Sequence, residues 1–123
     1  MSIRYYSNKK LLEQLSKVLR QKMAKGKVDV KTLADAMTIS TSQLNRRVKD
    51  ATGQTVSEYV LSIRLHEAKR FLGMFPEITI LETARQCGFA DTAHFSHVFR
   101  RKEGMSPTQY VHSLKALKPQ KNE

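Results

Sequence analysis

The stretch 88–107, GFADTAHFSHVFRRKEGMSP, has the pattern of a capped helix with one apolar side and one polar, basic side. Phe95 and Phe99 are four residues apart, so both lie on the same side of a helix. Asp91 is suited to cap the first turn and Gly104 to end the last one. The spacing of the phenylalanines favours core packing over stacking on bases. The polar side of this helix is therefore the one available to a partner.

A second copy of this pattern lies earlier in the chain. In residues 30–53 a short helical run, a turn and a second helical run end at a glycine, and the same order recurs at 80–104. The apolar positions of the two copies match at a shift of 50 residues before the turn and of 51 residues after it. A short helix, a tight turn and a second helix with a polar outer face form a helix-turn-helix unit. The sequence predicts two such units in tandem.

The helix predicted at 41–52 has Ser40 or Thr41 as its cap, and its buried face is predicted to comprise Leu44, Val48 and Ala51. Between the two units, residues 55–74 form the longest helical run, which Thr55 or Ser57 can cap and Phe75-Pro76 ends. This run is apolar on more than one side, so we expect it to be held between two packing units.

Two further helices complete the pattern. An apolar stripe predicts a helix over 10–24 that ends at Gly26, and 106–117 has Ser106 as cap with Pro107 in the first turn. We predict an all-α chain of two helix-turn-helix units joined by a long linker helix. The predicted divisions are a first unit with its N-terminal helix, a linker, a second unit with its C-terminal helix, and a disordered tail: 1–54, 55–75, 76–116 and 117–123.

The charge of the chain favours a polyanionic partner. There are 22 Lys and Arg residues against 11 Asp and Glu, a formal net charge of +11, and the sequence pI is about 10.0. The lone Cys87 has no Cys or His partners at metal-binding spacing, so we interpret it as a small buried hydrophobe and expect no metal and no cofactor. No apolar run approaches the length of a membrane helix and no secretory signal is present, which favours the cytoplasm.

The polar sides of the two second helices carry residues suited to DNA. Short polar or methyl-bearing side chains near the helix start can reach base edges, and long cations further along can reach phosphates. For Arg46 a base contact is favoured over a phosphate contact or solvation. The pair His94 and His97 lacks a third metal ligand. The predicted base contacts are Ser42, Asn45, Arg46, Thr92, Ala93, His94 and His97. The predicted phosphate contacts are Thr41, Lys49, Ser96, Arg100 and Arg101.

The second unit carries a long and specific family signature. The stretch CGFADTAHFSHVFRRKEGMSPTQY resembles the AraC/XylS family of bacterial transcription regulators, in which Gly-Phe, a polar cap, Phe-Ser-x-x-Phe-Arg/Lys and Gly-x-Ser-Pro-x-x-Tyr follow in order. The first unit and IRLHEAKRFL are similar to the family's less regular first unit and linker, so the resemblance covers roughly residues 10–113. His97 stands where the family often has arginine, and Glu103 where an aromatic is common.

The resemblance implies about seven helices and two units that read one face of a duplex. It implies the same reading positions on the helices at 41–52 and 92–103. A linker of about 20 residues is ~30 Å long, close to the ~34 Å between successive major grooves on one side of DNA. Because the two reading faces differ, the site for one chain should be asymmetric.

The resemblance also implies partners beyond duplex DNA. Family members carry an effector-binding, dimerising or signalling domain ahead of this unit, and activators contact RNA polymerase. The stretch ATGQTVSEYVLSIRLHEAKRFL most resembles versions that end hybrid two-component sensors, which favours a fragment over a small natural regulator. The alternative function is an RNA-binding or protein-interaction module. No catalytic constellation of residues occurs, so we do not expect an enzyme.

Overall fold

The computed structural model describes residues 3–25 and 28–117, and its regular structure is entirely helical in this part of the chain. This confirms the prediction of an all-α fold with seven helices. The helices are α1 (Ile3–Lys22), α2 (Val30–Ala36), α3 (Thr41–Thr52), α4 (Val56–Met74), α5 (Ile80–Gln86), α6 (Thr92–Glu103) and α7 (Pro107–Leu117), with one 3₁₀ turn (Met23–Lys25) after α1. The predicted helix end at Gly26 and the predicted tail beyond Leu117 lie outside the described residues. Leu117, which we assigned to that tail, is the last residue of α7.

The first helix is longer than its sequence pattern indicates. We predicted a helix over 10–24, but α1 begins at Ile3 and leaves α-helical geometry after Lys22. The positions one turn before Leu11, Ser7 and Asn8, are polar, so the apolar stripe does not continue there as a recognisable period. Asn8 lies in this earlier part, is buried, and accepts a hydrogen bond at Oδ1 from Arg47 Nε at 2.9 Å. This bond ties α1 to α3.

Side-chain caps start the helices where the sequence predicts them. Ser40 accepts a hydrogen bond from the Gln43 amide and Asp91 accepts one from the His94 amide, at 3.1 and 2.7 Å. Of the two candidates for α4, Thr55 is the cap, and it forms a reciprocal capping box with Glu58. Such caps satisfy amides that have no partner within the helix, so they set each helix start locally.

Two hydrophobic cores, each belonging to one helix-turn-helix unit, share helix α4. The first half of α4 contributes Val56, Val60 and Ile63 to the core of α1, α2 and α3. Its second half contributes Leu65, Ala68 and Leu72 to a core with Phe89, Phe95 and Phe99. The expectation that this helix is held between two packing units is therefore confirmed. Neither α4 nor any other helix of the described residues is long and apolar enough to cross a bilayer.

Burial follows the predicted pattern at most positions and departs from it at one. Phe95 and Phe99 are fully buried, as is Cys87, and burial raises the pKa of the Cys87 thiol to about 12. Ala51, by contrast, was predicted to be buried with Leu44 and Val48 but is exposed. It lies on the same side of α3, but only in its last turn, and helical period alone does not show where the neighbouring helices stop covering that side.

The first helices of the two units, α2 and α5, end with the same backbone geometry, although the turn after α5 is one residue longer. In the first, the Ile39 amide donates to the Ala34 carbonyl, and in the second the Phe89 amide donates to the Ala84 carbonyl. Both bonds belong to Schellman helix ends, which need a left-handed residue just before the donor. That residue is Gly88 in the second unit, with φ of 83°, but Thr38 in the first, with φ of 61°. A β-branched residue is strained in this conformation.

Replacing Thr38 with glycine is therefore expected to raise the free energy of unfolding by about 1 kcal/mol, because glycine adopts positive φ without a steric penalty. The Thr38 side chain is exposed, so no packing is lost. Urea unfolding would measure the change. Thr38→Ala serves as the control, since it keeps a Cβ at the strained position and should recover little. A lower stability for Thr38→Gly would contradict the strain.

Candidate nucleic-acid interface

Helix α3 presents one continuous polar face to solvent. The five predicted contact residues on it are all exposed: Thr41, Ser42, Asn45, Arg46 and Lys49. The Arg46 guanidinium and the Asn45 amide make no side-chain hydrogen bond with any other described residue, so both are free to meet a ligand. Lys49 Nζ donates to the Gly53 carbonyl at 3.1 Å, an exposed bond at the end of the helix.

Helix α6 presents a similar face, with two residues less accessible than predicted. Its exposed contact residues are Ala93, His94, His97, Arg100 and Arg101, whereas Thr92 and Ser96 are half-buried. The His94 ring lies 5.9 Å from the Phe89 ring, which restricts its movement. The last turn contains three cations, Arg100, Arg101 and Lys102. Cations there are favoured by the negative end of the helix dipole as well as by a phosphate partner.

Two side-chain contacts hold these helices in place from behind. The Arg47–Asn8 bond anchors α3 on α1, so Arg47 serves structure and not the exposed face. Lys69 Nζ lies 3.2 Å from Glu103 Oε1, which joins α4 to the last turn of α6. Glu103 thus forms an ion pair at a half-buried position.

The linker sets the distance between the two faces. Helix α4 has 19 residues, which gives a length of about 29 Å at 1.5 Å per residue. The two helix-turn-helix units pack on its opposite halves. This length is close to the ~34 Å spacing of successive major grooves on one side of a duplex.

The sequence analysis missed a cleft between the two units. Lys25, Arg64 and Arg85, which come from three separate parts of the chain, line it together with His94. The one local signal was Arg64, a charged residue among the apolar positions of α4. The described residues include no group of three or more His, Cys, Asp or Glu side chains that could hold a metal ion.

Known families and proteins are similar to this chain. A family model described as a helix-turn-helix domain matches residues 33–113. The HTH-type transcriptional activator RhaS of Enterobacter sp. (strain 638) is 35% identical over 103 residues, which cover 84% of this chain and 36% of that protein. The chain therefore spans about a third of the length of this relative.

Solved structures share the fold. The DNA-binding domain of AdpA, a global transcriptional factor solved in complex with a target DNA, is 29% identical, with a TM-score of 0.77 over 90% of this chain and 97% of that one. An AraC-type transcriptional regulator from Chromobacterium violaceum has a TM-score of 0.79 over 92% of this chain and 99% of that one. At 21% identity, the second likeness concerns the fold alone.

The family match extends from α2 into α7 and so includes both exposed faces and the linker between them. One family therefore accounts for the tandem repeat, the two polar recognition helices and the excess of positive charge. The family consists of DNA-binding regulators and not of enzymes. The chain belongs to the AraC-type family of helix-turn-helix transcription regulators, and it carries the sequence-specific DNA-binding domain of that family.

Proposed function

We propose that this domain reads two short blocks of duplex DNA by placing α3 and α6 in successive major grooves on one side of the helix. The observation that supports this proposal is that an exposed polar helix face occurs twice, once in each helix-turn-helix unit. Each unit has its own hydrophobic core, and the single helix α4 belongs to both cores. Each face is wide enough to meet a few base pairs. Regulation of transcription would then depend on where such a two-block site lies relative to a promoter.

Within each face, we assign roles by reach and charge. Residues near the helix start read bases: Ser42, Asn45 and Arg46 on α3, and Thr92, Ala93, His94 and His97 on α6. Thr41, Lys49, Ser96, Arg100 and Arg101 contact phosphates, which set position but carry no sequence information. The half-buried Thr92 and Ser96 can offer only part of their side chains, so the exposed Ala93, His94 and His97 are the main readers on α6.

Selection of bound duplexes from a random library at near-physiological salt tests this function. We expect enrichment of two short blocks, about one helical turn apart from centre to centre. The blocks should differ in sequence, because the α3 face has Ser, Asn and Arg where the α6 face has Thr, Ala and His. Retention of DNA without any enriched sequence would contradict the proposal. Competition by single-stranded RNA in the same assay separates it from the RNA-binding alternative, and the phenylalanines of α6, Phe95 and Phe99, are buried and cannot stack on RNA bases.

Replacing Arg46 with alanine is expected to lower affinity for the selected site by ~1–3 kcal/mol and to relax the preference at one base pair. A guanidinium can bind a guanine edge through two hydrogen bonds, and the loss of this pair removes discrimination at that position only. Fluorescence anisotropy on the selected duplex and on single-base variants would measure both effects.

Lys49→Ala is the matched control, one turn further along α3. It should weaken binding to every duplex alike and flatten the salt dependence, because a phosphate contact releases counterions without reading sequence. The exposed bond from Lys49 to Gly53 contributes little to stability. Equal losses on all sequences for both variants would contradict the division of roles.

Further partners belong to the longer regulators that the family includes. We propose an N-terminal sensor or dimerisation domain and RNA polymerase as partners of the whole protein, by analogy with RhaS, a transcriptional activator nearly three times as long as the matched region. The domain limits predicted from sequence remain part of this proposal. Transcription in vitro from a promoter carrying the selected site would distinguish activation from repression.

A further inference from the structure

A cleft of about 590 Å³ separates the two helix-turn-helix units. It is lined by the 3₁₀ turn after α1, by Val28 ahead of α2, by the middle of α4, and by the segment from the last turn of α5 to the first turn of α6. Its lining contains the cations Lys25, Arg64 and Arg85 together with His94, and no carboxylate. In this cleft both units contribute positive charge to a shared concave surface.

Arg64 holds its charge in this cleft without a counter-ion among the described residues. One guanidinium nitrogen, Nη2, donates to the Val28 carbonyl at 3.3 Å, and the group lies 5.9 Å above the Phe89 ring. Its Nε is buried and makes no hydrogen bond. Partial burial lowers the pKa of Arg64. Since a shielded charge is unfavourable until it is paired, the site is complementary to an anion.

The carboxylate that lies nearest to Arg64 along the same helix is already paired with two other arginines. Glu67 is buried against Arg20 and Arg70, with N···O distances of 2.9 Å to each. Lys25 and Arg85 are exposed and form no ion pair with any described residue. Three positive charges thus line one cleft without a carboxylate counter-ion among the described residues, which favours an external anion.

The position of the cleft indicates which anion it meets. His94 lies in the first turn of α6, so it belongs both to the second reading face and to the lining of the cleft. If α3 and α6 occupy successive major grooves, the spacer DNA between the two blocks would pass beside the cleft on the side where His94 lies. We propose that Lys25, Arg64 and Arg85 bind a backbone phosphate of the spacer DNA between the two reading blocks.

This contact rests on the proposed two-block binding and adds a third point of attachment to it. A guanidinium and an ammonium group match a phosphate in charge and hydrogen-bonding geometry. Phosphate contacts position a protein on DNA and do not read its sequence. Because residues from both units form the cleft, a phosphate held there fixes the spacing of the two blocks.

The variants Lys25→Ala and Arg85→Ala test the contact through the salt dependence of binding. Both side chains are exposed, so the fold should survive, and thermal unfolding checks this. Each lost phosphate contact makes the negative slope of log affinity against log salt concentration shallower by about 0.9. Lys115→Ala is the control, an exposed lysine in the last turn of α7 that does not line the cleft. Unchanged slopes for both cleft variants would overturn the proposal.

Replacing single phosphates of the DNA with neutral groups would locate the contact. Single methylphosphonate groups placed along the spacer of the selected duplex should weaken binding of the wild-type chain at one or two positions. The Lys25→Ala/Arg85→Ala double variant should be insensitive at those same positions. If the wild type and the double variant lose affinity equally at every spacer position, the cleft does not bind the spacer.

A free anion is the competing source of the same chemistry. Titration of the DNA-free chain with inorganic phosphate, followed by NMR of the Arg64 Nε–H, would detect it. A saturable shift that duplex DNA fails to displace would assign the cleft to a soluble anion and overturn our proposal. Failure of the library selection to enrich any site contradicts the reading by α3 and α6. Unchanged salt slopes on an enriched site contradict only the cleft.

Discussion

Replacing Gly88 with alanine is expected to lower the free energy of unfolding by about 3 kcal/mol. The residue has φ of 83°, a conformation that costs an L-residue roughly 1–2 kcal/mol. A Cβ placed there would also lie 3.0 Å from the Met23 carbonyl oxygen and 3.2 Å from Met23 Cβ. Neither atom belongs to a flexible side-chain end, so the backbone itself must move, and overpacking of this kind costs about 1–3 kcal/mol.

Gly88→Ala is also expected to affect DNA binding, because Met23 and Gly88 belong to different halves of the chain. Met23 is packed in the core of the first unit, and Gly88 lies in the turn that precedes the second recognition helix. Separating them alters the relative position of α3 and α6. We expect Gly88→Ala to lose affinity for the two-block site, even at temperatures where the chain is folded, and to retain more of its affinity for either block alone.

Two other glycines are controls with the same backbone geometry. Gly53 and Gly104 end the two recognition helices with φ of 77° and 81°, and a Cβ at either would meet no atom within 4 Å. Alanine at these positions should cost only the roughly 1–2 kcal/mol of the left-handed backbone conformation. Urea unfolding of the three variants separates the cost of the backbone conformation from the cost of the contact with Met23. Equal losses at all three glycines would show that the contact with Met23 carries no energy.

Replacing Glu67 with alanine is the second large effect, with an expected loss of about 3 kcal/mol. The Glu67 side chain is 4% exposed, and it accepts hydrogen bonds from Arg20 Nε at 2.9 Å and from Arg70 Nε and Nη2 at 3.1 and 2.9 Å. It joins α1 to α4 at the centre of the chain. Removal of one partner from a buried ion pair is costly. The cost stays moderate here because Arg20 and Arg70 are 48% and 45% exposed and can turn to solvent.

The same ion pairs predict a pH dependence. Burial raises the pKa of Glu67, but hydrogen bonds and charges from Arg70 and Arg20 outweigh it, so the pKa lies below its ordinary value of 4.5. A folded-state pKa below that of the unfolded chain means stability that is present above about pH 4.5 and lost as the pH falls through the folded value. The stability difference between wild type and Glu67→Gln should therefore shrink between neutral pH and about pH 3.

Glu77→Gln is the control for this titration. Glu77 is exposed and makes no side-chain hydrogen bond or ion pair with a described residue, so its replacement should change stability by less than about 0.5 kcal/mol. Unfolding curves at several pH values would measure all three chains. A wild-type advantage over Glu67→Gln that persisted unchanged at low pH would contradict the role of the carboxylate charge.

The sequence by itself determined the two helix-turn-helix units, their caps and their exposed faces. Ser40, Thr55 and Asp91 bond to amides three residues away, and Phe95 and Phe99 lie one helical turn apart. Such interactions join neighbours along the chain, so pattern and spacing reveal them. Pattern and spacing did not reveal the first turns of α1, because the apolar stripe does not continue into them.

Only the tertiary structure decided how the two units sit against each other, and the reason is the distance along the chain between the partners. Arg20 meets Glu67 across 47 residues, and Met23 lies against Gly88. Lys25, Arg64 and Arg85 face one cleft although no local motif connects them. Ala51 is exposed although its helical position places it on the same side as the buried Leu44 and Val48. Each of these depends on the packing of helices distant in sequence, which helical period and capping do not encode.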